Sequence, residues 1–184
     1  MAEFKYAVEL THPDFPAPDV ILEEYDPESI YVSGLPFWQE QQFFTKGGGV
    51  IPWKNETERA CRKLAKHMTN LAESMEADLK VHKKPSPVTV RDALGIFLSI
   101  LFWSNHRPVQ LDNLMDQIKT LETKPLNLDE RLEYVLKRGN TYLGFRQLNE
   151  LMLEQRKLIA KKIIKKERRC LNIFRSFCIN YLEF

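Results

Sequence analysis

The chain has 184 residues, with 27 Lys and Arg against 25 Asp and Glu for a net charge of +2; 43% of it is hydrophobic and 28% charged. That length suits one domain burying about 70% of its unfolded surface, and that balance excludes an intrinsically disordered chain. A bilayer span needs about 18 uninterrupted apolar residues, and the nearest stretch, Val88 to Trp103, is broken by Arg91, Asp92, Gly95 and Ser99.

The near-neutral total hides an uneven distribution. Residues 1–50 hold two Lys against nine Asp and Glu (−7), whereas residues 151–184 hold nine basic against three acidic residues (+6). An acidic head is thus followed by a basic tail. The start, "MAEFKYAVEL", has no basic segment leading into an apolar one, so neither a secretory signal nor a transit peptide is expected, and a cytoplasmic location is. Cys61, Cys170 and Cys178 form no C-x-x-C pair and are expected to be buried free thiols.

Six of the ten prolines fall in the first 54 residues: Pro13, Pro16, Pro18, Pro27, Pro36 and Pro52. Proline at that density opposes long helices and central strands. Residues 1–54 are therefore expected to form an extended acidic arm, separate from a helical domain over residues 55–184. Its aromatics Phe15, Tyr25, Tyr31, Phe37, Trp38, Phe43 and Phe44 predict a belt packed across that domain. "ESIYVSG", Glu28 to Gly34, reads as one short strand. "TKGGG" invites a phosphate-loop reading beside Lys46, but Pro52 intervenes and no strand, loop and helix follow in the required spacing, so a hinge is preferred.

Five helices are predicted after Trp53. Asn55 with Glu58 three residues on marks a start, and Leu64, Met68, Leu71, Met75 and Leu79 recur at helical spacing to about Val81. Ser86 is placed to cap a second helix with Pro87 in its first turn. The run "ALGIFLSILFW" is apolar on every side, which predicts a central, surrounded helix. A third helix follows Pro108, with Leu111, Leu114, Ile118 and Leu121 on one stripe, and stops before Pro125. The fourth has Asn127 at its cap, Lys137 and Arg138 in its last turn and Gly139 as a left-handed terminator. From Thr141 the pattern runs on without proline, so the fifth helix should exceed about 25 residues. The fold class is an all-α, single-domain bundle.

Two stretches hold candidate site residues. In "WSNHRP", Asn105, His106 and Arg107 could form a catalytic site, His106 as general base and the others orienting an anion. The preferred reading is the end of a buried helix, turned by Asn105 or His106 and stopped by Pro108 over Trp103. No G-x-S-x-G elbow, H-E-x-x-H pair or Walker-type lysine occurs, and His12, His67, His82 and His106 share no ligand spacing, so no metal or cofactor is expected. The second stretch, "RKLIAKKIIKKERR", Arg156 to Arg169, has eight basic residues and one acid in fourteen. Lys157, Lys161, Lys162, Lys165, Lys166, Arg168 and Arg169 cover one side of its helical wheel, with Ile159, Ile163, Ile164 and Cys170 on the other. Such a stripe is either simply a solvated face or a surface for an acidic protein, nucleic-acid phosphate or anionic lipid, unless the acidic arm of the same chain lies over it. Val135 to Phe145 also carries a weak helix-turn-helix signal, with Arg146, Gln147 and Asn149 as base readers.

Through "LFWSNHRPVQL" and "KPLNLDERLEYVLKRGNTYLGFRQLNELMLEQRK" the chain resembles the YpoC-like family of small bacterial proteins, over about Asn55 to Lys162. The marks are the W-S-N segment, Trp103 to Asn105, and the K-P-x-N-x-x-E-R-L pattern of Lys124 to Leu132. The resemblance implies a small, cytoplasmic, helical protein and carries over no activity, cofactor or catalytic residue. The end, "CLNIFRSFCINYLEF", is apolar on all sides and departs from a polar tail; it is expected to pack on the body or to pair with a second copy in a homodimer. The leading functional expectation is a non-enzymatic interaction module whose basic last helix engages an acidic partner. The alternatives are a nucleic-acid binder using the same helix and an enzyme at Trp103 to Arg107.

Overall fold

The computed structural model describes residues 6–17, 29–47, 50–81 and 84–181, the residues after Arg169 as helical backbone alone. Among the described residues there are six helices and no strand: α1 (Trp38–Lys46), α2 (Thr57–Val81), α3 (Pro87–Trp103), α4 (Leu114–Lys119), α5 (Leu128–Arg138) and α6 (Tyr142–Tyr181). The all-α bundle and five of its helices match the sequence pattern.

Helix α3 is the axis. Every residue from Asp92 to Trp103 is buried, as a helix apolar on all sides requires. Helix α2 turns Leu64, Met68 and Met75 onto it, while α5 and α6 form a hairpin that contributes Leu132, Val135, Phe145, Leu148 and Leu151. Gly139, in the α5–α6 turn, is right-handed (φ −56°) and not the left-handed terminator expected. A Cβ there would stand 2.9 Å from Val90 Cγ1 and 3.0 Å from the Val135 carbonyl, so the position is small because α3 passes it closely.

Helix ends are less regular than the sequence suggests. Helix α2 begins at Thr57, two residues after Asn55, with Glu56 left-handed at φ 53° and the Thr57 hydroxyl donating to the Pro52 carbonyl. Ser86 and Asn127 do stand before α3 and α5, yet neither side chain makes a capping bond. Asn127 takes φ 51° instead, and the Ser86 backbone N–H donates to Asp78 Oδ2 on α2. The third predicted helix is reduced to Leu114–Lys119. Leu111 is buried in the loop before α4, where its N–H donates to the Glu9 carbonyl (2.7 Å) and ties that loop to the arm.

The arm is more structured than its prolines imply. No proline stands between Pro36 and Pro52, and α1 fills that gap, opened by Phe37 (φ 65°) and closed by left-handed Gly47. Gly47 is thus a helix terminator; the other two glycines of the expected hinge lie outside the described residues. Phe15, Phe37 and Trp53 are buried; Phe43 meets Trp53 edge to face and Trp53 meets Trp103 at a tilt, at centroid distances of 5.3 and 6.3 Å. Tyr25 is outside the described residues. Of the expected strand, residues 29–34 are described and form turns, because Tyr31 Oη, Ser33 Oγ and the Gly34 N–H all donate to buried Asp92 at 2.8–3.0 Å. A strand cannot wrap donors from residues 31, 33 and 34 around one carboxylate.

Candidate basic interface on the last helix

The "WSNHRP" segment closes α3 by geometry its residues dictate. Trp103 is the last helical residue, and His106 adopts φ 59°, reversing the chain ahead of Pro108. Ser104 donates to the Leu101 carbonyl and accepts from Gln155 Nε2 of α6 at 2.9 Å. The Asn105 amide spans Leu101 and Thr123, giving to both carbonyls (2.8 and 2.9 Å) and accepting from the Thr123 N–H (2.8 Å). Arg107 turns away to Thr120 Oγ1 and Gln117 Oε1. His106 Nδ1 lies 3.3 Å from the Trp53 carbonyl. Neither cavity that His106 lines includes Asn105 or Arg107. Asn105 and Arg107 bond to α4 and the loop that follows it, while His106 lies against the Trp53 carbonyl.

Helix α6 carries the stripe. Lys157, Lys161, Lys162, Lys165, Lys166, Arg168 and Arg169 are all exposed, and none forms a salt bridge among the described residues. Ile159 and Ile163 are half-buried against the body, whereas Ile164, assigned to the apolar side by the wheel, is 49% exposed. Cys170 falls outside the described side chains. The stripe is divided by the body it leaves. Lys157 and Lys161 line a ≈ 600 Å³ cleft against the α4–α5 loop, with Leu126 and Leu158. Lys162 and Lys166 face α2, and Lys162 Nζ donates to the Ser104 carbonyl at 3.2 Å. Upstream, Arg131 of α5 grips Glu154 through two bonds (2.9 and 2.8 Å) that hold the Glu154 carboxyl below its usual range and fix the α5–α6 hairpin. With its amide oxygen turned to that guanidinium, Gln147 accepts from Arg131 at 2.8 and 3.0 Å, and Arg146 pairs with Glu150 at 3.7 Å. Two of the three expected base readers are thus engaged within the fold.

Buried carboxylates are what residue patterns did not single out. Glu40 of α1 is fully buried: Oε1 accepts from Trp103 Nε1 (2.6 Å) and the Val109 N–H (3.2 Å), while Oε2 has no partner among the described residues. Burial pushes its carboxyl up to about 7, against the pull of those two donors. It also helps raise the Tyr6 hydroxyl, whose own burial is the larger cause. The available signal was an acidic residue inside the aromatic run "PFWQEQQFF", which can be buried only with partners. Among the described residues no group of three or more His, Cys, Asp or Glu could hold a metal ion, and no helix is long and apolar enough to cross a membrane.

A family model described as YpoC-like protein matches residues 58–167, from the first turn of α2 to Glu167, short of the last two cations of the basic stripe. No curated protein and no solved structure matches the chain.

Proposed function

We propose that this chain, which belongs to the YpoC-like family, is a cytoplasmic, non-enzymatic interaction module whose basic last helix engages an acidic partner protein. One observation carries the reading. Seven exposed cations, Lys157, Lys161, Lys162, Lys165, Lys166, Arg168 and Arg169, follow one another along α6 with Glu167 as the single acid among residues 156–169, and none is neutralised by a salt bridge among the described residues. Clustered unpaired charge on a rigid helix raises the local potential and steers an oppositely charged surface. The polar side chains of residues 104–107 support the same reading, since Ser104, Asn105 and Arg107 spend their hydrogen bonds holding loops together.

The alternative on the same stripe is nucleic-acid binding, whose signature is a linear fall of log affinity with log salt as counterions are released. Fluorescence anisotropy with labelled poly-glutamate and labelled duplex DNA, each across a salt series, separates the two. Wild type is compared with a variant carrying Lys161→Gln, Lys162→Gln, Lys165→Gln and Lys166→Gln. Poly-glutamate binding lost in the variant, with weaker DNA binding, is the expected result. Tight, steeply salt-dependent DNA binding makes nucleic acid the ligand, and no binding of either at low salt removes the stripe from function. A homodimer through the C-terminal helix belongs to the same reading and is measured by sedimentation of the full chain over a concentration series.

A further inference from the structure

Between α2 and α6 the surface is concave, and three cavities there share their walls. One of ≈ 510 Å³ runs along both helices past Ala65 and Ala160; one of ≈ 80 Å³ lies between Cys61, Ser104 and Ile163; one of ≈ 440 Å³ opens at the start of α2 beside Lys54 and Lys166. Glu58 lines all three, and Cys61, Ile159 and Ile163 line the first two, so they form one groove. The geometry points to this groove as the seat of an amphipathic, acidic helical segment of the partner protein, an inference that rests on the reading of the last helix given above.

The floor is apolar. Ile100 is buried beneath it, and Ile159, Ile163 and Ala65 are half-buried along it. Ala65 of α2 and Ala160 of α6 place only a methyl on each wall, which keeps the slot open. The rim is basic: Arg62 and Lys66 on α2 and Arg156 and Lys166 on α6 are exposed, and none has a salt-bridge partner among the described residues. Of the two acids that line it, Glu56 is already paired with Arg59 at 2.9 Å, which leaves Glu58. Apolar residues lie at i, i+1 and i+4 on α6 (Ile159, Ala160, Ile163), flanked by cations on both helices. That arrangement is complementary to a helix with apolar residues at the same spacing and Asp or Glu beside them.

Two features favour such a segment over nucleic acid. Single-stranded nucleic acid gains affinity by stacking bases on aromatic rings, and among the described residues no Phe, Tyr or Trp lines the groove. A duplex backbone needs no apolar floor. At 1.5 Å per residue the wall from Glu58 to Thr69 is about 17 Å long, room for about three helical turns of a partner.

The test uses the full chain and two fluorescein-labelled peptides of about 14 residues made of Leu and Glu alone. One carries Leu on a single helical face, and the other has the same composition with Leu dispersed. Ala160→Trp fills the slot at an exposed position and leaves every charge in place; Ala65→Phe fills it from the opposite wall; Lys119→Gln with Lys137→Gln removes two exposed charges from α4 and α5, outside both the stripe and the groove. The one-faced peptide is expected to bind wild type about tenfold or more tightly than the dispersed one. Both filling variants, melting near wild type, should lose that preference, and the double Gln variant should keep it. Equal binding of the two peptides, or loss in the double Gln variant alone, overturns the groove while leaving the acidic-partner reading standing. Binding of neither peptide at low salt overturns both. Self-association that Ala160→Trp abolishes and that excludes the peptide makes a second copy the occupant, which also overturns the proposal.

Discussion

Glu40 should make the stability of this protein fall as pH rises through neutrality. Its carboxyl has an ordinary value of 4.5 in the unfolded chain and about 7 in the fold, because burial disfavours the charged form more than Trp103 Nε1 and the Val109 N–H favour it. The folded state therefore binds the proton more tightly than the unfolded state. The stability gained from protonation is complete below about pH 4.5 and is lost as pH rises through about 7. Linkage between those two values gives a loss of about 2 kcal/mol between pH 5.5 and pH 8. Glu40→Gln keeps an oxygen to accept from Trp103 and Val109 but cannot ionise. Urea unfolding of both proteins at several pH values isolates the Glu40 contribution, since other titrating groups cancel in the difference. The wild type should lose about 2 kcal/mol more than the variant over that range. Curves that run parallel within about 0.5 kcal/mol, or a wild type that gains on the variant with rising pH, would refute the argument.

Asp92 holds the turn at Tyr31, Ser33 and Gly34, so Asp92→Ala should cost about 3 kcal/mol by removing the acceptor those three donors share, and Asp92→Asn less; thermal melts that rank Asn at or below Ala contradict this. Gly95→Ala places a Cβ 2.6 Å from Pro36 Cβ, and forcing arm and α3 apart should destabilise by about 1–3 kcal/mol, visible as a lowered urea midpoint. Cys61 is buried and its thiol is pushed up to about 12, by burial first and by Glu58 second. In the native protein it should resist iodoacetamide at pH 8 and react once unfolded, as peptide mapping by mass spectrometry will show; rapid native labelling would mean that the α2 wall opens.

Sequence by itself determined the bundle. The surrounded helix α3 follows from an apolar run with no polar side, and α2, α5 and α6 follow from apolar residues recurring every three or four positions, because a helix buries a face set by its own period. The basic stripe was legible for the same reason: Lys161, Lys162, Lys165 and Lys166 are near in sequence and so near on one helix. What the tertiary structure alone decided lies in contacts between distant segments. α1 was hidden because proline density described the arm as a whole while the gap from Pro36 to Pro52 decided that stretch. The loop at Leu111 is tied to Glu9, and Glu40 and Asp92 became buried anchors through partners 58 to 69 residues away. The groove between α2 and α6 is of the same kind. Arg62 and Arg156 stand far apart in the chain, and no local period records that two walls of alanine and arginine face each other, since their distance is set by how both helices pack on α3.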